Sequence, residues 1–327
     1  MSPIRPSLFC DQNLAERIER VEAQFMAECS RAAHRRCGDG AGFVLAVGGG
    51  RATFARPGSP FNKVAGLGFD GVPDTRILDE IEQSFARCGT SVQVELAHLA
   101  DPAIALRLTE RGYRLEAFEN VLGRALDRYP EQMVPPREIE IRLSDDDEFE
   151  AWLAVVAEGA AHPDRQGVPW HEEFPRDVYI AAQRDSTAAG VQRYAALRGG
   201  VLAGGAGLRI ADGVAQFAGA ATAPVHRRHG VQAALLAARI ADSSAAGCDV
   251  AVITTQPGSV SQHNAQRQGF DLLYTRAVLV KIPDDDAGSA LPPRQVSFPG
   301  VTRPPRPNDQ KRTGGPVTGS VRKTSPC

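Results

Sequence analysis

Residues 224–236 read "PVHRRHGVQAALL", a proline and a basic cluster that run straight into apolar residues at helical spacing. The whole chain has a net charge of −2, so two arginines and two histidines around Gly230 are not the overflow of a basic composition. A helix beginning at this glycine leaves its first backbone N–H groups unpaired and carries about half a positive charge at that end. Arg227 and Arg228 add to the field, and the result is an anion site whose ordinary occupant is phosphate. The plainer reading of the same residues is a solvated basic helix start. The surrounding sequence decides between them.

Hydrophobic content of 43% and charged content of 23% are those of a soluble globular protein, and 327 residues suffice for two domains with their own cores. The near-neutral balance gives no general attraction to nucleic acid or to anionic membranes, so neither is expected as a partner. Cysteines stand at 10, 29, 37, 88, 248 and 327 with no Cys-x-x-Cys pair, a pattern that suits a reducing cytoplasm better than a disulfide framework or a zinc site. The first residues contain no apolar core of signal-peptide length, and no run is long enough to span a bilayer. A cytoplasmic location is expected.

Upstream and downstream of the basic loop the same order of elements occurs twice. A helix over Asn13–Arg36 carries Leu14, Ile18, Val21, Phe25 and Cys29 on one face. The strand-like runs "GFVLAV", "RATFA" and "KVAGLGF" follow, then the helix "DTRILDEIEQSFARCG" with Gly89 as its C-cap. "SVQVELA" reads as a strand, "DPAIALRLTERGY" as a helix and "RLEAFENVLGRAL" as a closing strand. In the second half "REIEIRL" is a strand and "SDDDEFEAWLAVVAEGA" an acid-capped helix. Strands "VQRYAALR", "VLAGGAGLRI" and "VAQFAGAAT" precede the basic loop and its helix, and "DVAVITT", the helix "SVSQHNAQRQGF" and the strand "DLLYTRAVLVKI" follow. "LTERGYRLEAFENVLGRAL" and "NAQRQGFDLLYTRAVLVKI" share helix, arginine, glycine plus aromatic, then strand, which marks two copies of one domain. Prolines in residues 127–138 mark the boundary, and the proline- and glycine-rich stretch 284–327 reads as a disordered tail.

With this order around Arg227-Arg228-His229-Gly230-Val231-Gln232, residues 138–282 resemble the GNAT superfamily of acyl-CoA-dependent N-acetyltransferases, whose loop is Gln/Arg-x-x-Gly-x-Gly/Ala. Gln232 departs from the small residue usual there. The resemblance implies a mixed α/β fold of two GNAT-like domains, each a mostly antiparallel sheet flanked by helices. Residues 1–128 form a degenerate copy, and 135–283 form the acetyltransferase domain, so a fragment over 130–285 is expected to fold and bind acetyl-CoA alone. It further implies acetyl-CoA as co-substrate, an amine acceptor and no metal. The diphosphate falls to Arg227, Arg228, His229, Gly230, Val231 and Gln232, the pantetheine arm to the strand end Ala221, Thr222 and Ala223, and a further contact to Asn264.

In the first half the matching position reads "GFDGVPDTRILDEIE", where Asp70, Asp74, Asp79 and Glu80 satisfy the helix dipole and repel a diphosphate. The family's frequent proton-donating tyrosine is replaced by Ala265, and its strand glutamate is missing, Gln216 being the only large polar group of "VAQFAGAAT". Proton carriers are therefore sought in residues 157–174 and on the last strand: Glu158, Glu172 and Tyr274. His162, Asp164, His171 and Glu172 match no standard metal-ligand spacing. Two functions follow: an acetyltransferase acting on an amine, and an acyl-CoA-binding module without turnover.

Overall fold

A 26-residue helix, α1 (Gln12–Cys37), opens the chain; Asp11 accepts the Leu14 N–H at its start, and Gly38, at φ 70°, closes its end. The computed structural model describes residues 7–38, 42–126, 138–163, 168 and 173–283. The linker 127–137 and the tail from 284 lie outside them, as do Asp164, His171 and Glu172. After α1 come β1 (Phe43–Val47), β2 (Gly50–Phe54), β3 (Lys63–Ala65), α2 (Thr75–Arg87), β4 (Val92–Ala97), α3 (Pro102–Glu110) and β5 (Arg114–Ala125). The second half follows the same plan: β6 (Ile139–Leu143), α4 (Phe149–Ala161), α5 (Arg176–Ala188), β7 (Gln192–Arg198), β8 (Val201–Ala211), β9 (Val214–Thr222), α6 (Val231–Ala245), β10 (Val250–Thr255), α7 (Val260–Arg267) and β11 (Asp271–Lys281).

All the described strands join one sheet in the order β1-β2-β3-β4-β11-β5-β10-β9-β8-β7-β6. The two closing strands, β5 and β11, are the stretches that repeat each other in sequence, and they have changed places. β11 lies between the first half's own β4 and β5, and β5 lies between the second half's β11 and β10. They pair antiparallel, with Arg114 opposite Val280 at one end and Gly123 opposite Asp271 at the other. β10 takes β5 as its second neighbour over Val250↔Ala125 to Thr255↔Asn120. Residues 1–285 accordingly form one compact unit. A fragment over 130–285 would lack β5, the strand that lies between β11 and β10.

Strand alternation sends neighbouring residues to opposite faces. Val121 packs beneath α1 with Ile18, Val21, Val250 and Val252, whereas Leu122 packs with Leu235, Leu236 and Phe270 on the α6 and α7 side. Val94, Leu96 and Leu279 meet α2 and α3. α4 lies close against β8: Trp152 donates from Nε1 to the Tyr194 carbonyl at 2.9 Å, and a Cβ at Gly205 would overlap the Trp152 ring. That contact accounts for Gly205; a Cβ at Gly204 would meet the Ala221 carbonyl and one at Gly207 the Val191 side chain. α5 was not legible as a helix: Pro175 stands at its N-cap, no side chain caps it, and only Ala181, Ala182, Asp185 and Ser186 are buried.

Candidate active site

β9 and β10 run parallel from Val214↔Val250 to Phe217↔Ile253 and then part. β9 stays with β8, where Ala221 and Thr222 pair with Gly205 and Gly204 after a bulge. β10 stays with β5, where Thr254 and Thr255 face Val121 and Asn120. The parting leaves one backbone edge of Ala218–Thr222 without a strand partner. Unpaired strand edges are ready templates for a ligand's amides.

The basic loop closes the wide end of this wedge. Pro224–His226 form one 3-10 turn, after which Arg228 (φ 63°) and Gly230 (φ 87°) both take left-handed backbone conformations. Alternation of this kind turns successive N–H groups toward one point. α6 starts at Val231 with no side-chain cap and no acidic residue in its first turn, and its first backbone bond runs from the Ala234 N–H to the Gly230 carbonyl. The donors of Val231, Gln232 and Ala233 stay open. The Arg228 side chain is exposed beside them, as is His229.

Arg227 does something else. Its guanidinium donates to the Thr222 carbonyl at 3.3 Å, to the Gly159 carbonyl at 3.0 Å and to the His162 carbonyl, so it ties the loop to the end of α4. These bonds occupy Nε and Nη2 of Arg227 and fix the loop in place. Three buried polar atoms around the wedge have no hydrogen-bond partner among the described residues: Thr222 Oγ1 and Thr255 Oγ1 at the two strand tips, and His226 Nδ1 in the loop. Unsatisfied buried groups cost about 1–3 kcal/mol each, and their gathering here fits a polar ligand with a long amide-bearing arm and an anionic end. Asn264 is half-buried on α7, and Ala265 is buried in the core.

The expected proton carriers separate. Glu158 is exposed on the last turn of α4. Glu172 lies outside the described residues. Tyr274 is 1% exposed beneath α1, and its hydroxyl donates to Glu19 Oε1 at 2.7 Å. Burial and the Glu19 carboxylate push its pKa well up.

What sequence reasoning missed is a polar cluster under α1. Glu19, Glu95, Glu119 and Arg276 are all buried. Arg276 Nε bonds Glu19 Oε1 at 2.7 Å and Nη1 lies 3.6 Å from Glu95, which also pairs with Lys63. Gln216 accepts from Arg209 at 2.7 Å and donates to Glu22 Oε2 at 2.8 Å. A signal existed: Glu19 and Glu22 fall within the same helical stripe as Ala15, Ile18 and Phe25.

Residues 145–270 match the acetyltransferase (GNAT) family, and the chain carries a GNAT acetyltransferase domain over that segment. Among solved structures, a GCN5-related N-acetyltransferase from Kribbella flavida is similar at 20% identity with a TM-score of 0.53, covering 77% of this chain and 95% of its own. A tandem GNAT protein from the clavulanic acid biosynthesis pathway is similar at 12% identity with a TM-score of 0.51, over 83% of this chain and 96% of that one. These likenesses show the fold. No curated protein matches the sequence. No described helix is long and apolar enough to cross a membrane.

Proposed function

We propose that the protein moves an acetyl group from acetyl-CoA to an amine by direct attack on the thioester, in the cytoplasm. The carrying observation is the uncapped α6 N-terminus at the mouth of a strand pair that parts, with orphaned Thr222, Thr255 and His226 around it. The N–H groups of Arg228 to Ala233 and the Arg228 side chain hold the diphosphate, Gly230 lets it approach the backbone, and His229 and Gln232 border it. The free edge of Ala221, Thr222 and Ala223 bonds the pantetheine amides, and Asn264 meets the arm from α7. A backbone N–H near Thr222 faces the thioester oxygen, the place where charge develops as the amine adds. Glu158 passes protons to solvent at the mouth.

In this reading the segment up to residue 128 is a second GNAT-like copy that has lost its own ligand and supplies structure. No metal takes part. Calorimetry with acetyl-CoA, followed by mass detection of products from pooled amines, tests the proposal. Binding with an acetylated product supports transfer; binding without any product supports an acyl-CoA-binding module.

A further inference from the structure

Arg239 lies in the middle of α6 with its side chain fully covered, and among the described residues no carboxylate pairs with it. The helix's own acidic residue, Asp242, accepts from the Tyr194 hydroxyl at 2.6 Å. The guanidinium goes to backbone and to a ring instead. Its Nε donates to the Leu235 carbonyl of α6 at 3.1 Å, and Nη1 donates to the Gly207 carbonyl of β8 at 3.0 Å. Its central carbon sits 4.5 Å from the centre of the Phe217 ring on β9. Nη2 has no partner among the described residues. A buried guanidinium without a counter-ion is costly, and burial lowers its pKa to about 9. An apolar side chain of the same length would avoid that cost. The two strand residues that Arg239 touches stand at one place in the sheet. Phe217 forms the last pair of β9 with β10, opposite Ile253. Gly207 pairs with Ala218 and Gly205 with Ala221, so two steps along β8 meet three along β9. The extra residue falls within Gly219–Ala220, and Gly219 has a φ of 56°. A bulge re-aims a strand and ends its pairing. Arg239 joins α6, β8 and β9 at the point from which β9 leaves β10.

We propose that Arg239 is a positioning residue that clamps α6 to the β8–β9 bulge and so fixes the spacing between the open start of α6 and the free edge of Ala218–Thr222. This rests on the coenzyme reading above and names the residue that holds the two parts of that site in register. The open N–H groups of Val231, Gln232 and Ala233 precede Arg239 on the same helix, roughly 9–12 Å away by the helical rise. The free edge begins at the residue after Phe217, which the same guanidinium covers. A ligand confined to one part gains nothing from their spacing. One that spans both binds as two linked ligands do, and its gain depends on the second part lying within reach of the first. Because Arg239 is fully covered, its effect on a ligand passes through the bulge and the helix, not through contact.

The test uses the full chain, Arg239→Met and Arg239→Lys, and calorimetry with acetyl-CoA, with ADP as a diphosphate probe and with S-acetylpantetheine as an arm probe. Arg239→Met should weaken acetyl-CoA by about tenfold to a hundredfold, and each partial ligand by less than about threefold. Its Tm should match the wild type or rise, since an apolar chain replaces an unpaired buried charge. Arg239→Lys keeps one donor for the Gly207 carbonyl and should recover part of the loss. Equal losses for all three ligands with a fall in Tm would make Arg239 a purely structural residue and overturn the proposal. Wild-type acetyl-CoA affinity in Arg239→Met, or a lysine variant that binds no tighter than the methionine one, overturns it too. A second readout needs no ligand. In Arg239→Met, hydrogen exchange of the unliganded chain should speed up about tenfold or more at 205–207 and 218–222 and stay unchanged in β4 and β5. Unchanged exchange at the bulge overturns the clamp. If the wild type binds none of the three ligands while the bulge still loosens in the variant, the coenzyme reading fails and the clamp stands.

Discussion

α2 and α6 occupy the same place in the two halves, each following a run of strands and preceding the inner strand of its half. At α2, Asp74 accepts the Arg76 N–H at 2.7 Å, and Asp79 and Glu82 pair with Arg111 at 2.5 and 2.8 Å. At α6 the cap is Gly230, no carboxylate stands in the first turn, and Arg228 is exposed. One helix end consumes its own positive field and the other offers it to a ligand. The difference teaches that one scaffold closes a helix start in one half and leaves it open in the other.

The largest effect should come from dividing the halves. Residues 138–283 alone leave β10 and β11 without β5, so the fragment should stay unfolded or aggregate, losing the whole stability of roughly 5–15 kcal/mol usual for a domain. In the full chain Leu122→Ala, at the centre of β5, should cost about 2–5 kcal/mol. Denaturant titration should show one transition reporting both halves. Two transitions, or a soluble 138–283 fragment with native circular dichroism, would break the picture of exchanged strands.

Next comes Gly230→Glu, which should abolish acetyl-CoA binding in calorimetry. It adds a side chain and a negative charge where the open N–H groups converge, and makes the second half resemble the first. The left-handed backbone adds about 1–2 kcal/mol of strain, so melting is measured alongside. A pantetheine thioester without the diphosphate should lose far less affinity than acetyl-CoA. Equal losses would mean that α6 itself had unravelled.

Smaller still is the contrast between the two arginines. Arg228→Ala should remove one charge-assisted contact, roughly 1.5–3 kcal/mol, or about tenfold to a hundredfold in affinity, with Tm unchanged. Arg227→Ala should lower Tm as well, because the ends of α4 and β9 lose their shared donor. Identical behaviour of the two variants would remove the division of labour between them.

Most elements were legible because their signals are local: apolar spacing and Asp11 for α1, alternation for β6, the glycine and basic cluster for α6. The exchange of β5 and β11 was not, since the two repeated stretches fit either neighbour equally well by pattern and only three-dimensional closure chooses. The buried acids were hidden for the same reason. Gln93 and Glu95 alternate with Val92, Val94 and Leu96, which reads as a solvated strand face until α1 lies across it. Glu119 also leaves a mark on stability that no contact list shows. In the unfolded chain it ionises near 4.5, but in the fold only near 8, so the native state holds the extra proton between those values. Stability contributed at low pH is lost as pH rises from about 4.5 to 8 and is flat above. Glu119→Gln should flatten that slope in denaturant titrations across the range.

The smallest effect is expected at the closed helix start. Asp74→Ala removes the cap of α2, worth about 1 kcal/mol, and uncovers N–H groups in the first half. If an open helix end sufficed, this variant would gain affinity for an anion. It should not, because β3 and β4 pair at a single described position, Val64↔Val94, and Asp70 and Asp79 keep the local field negative. Calorimetry should therefore find one acetyl-CoA site per chain in the variant, as in the wild type, with only a slightly lower Tm. A second site appearing in Asp74→Ala would show that capping alone separates the two halves; its absence assigns the difference to the parted strands and the arginine together.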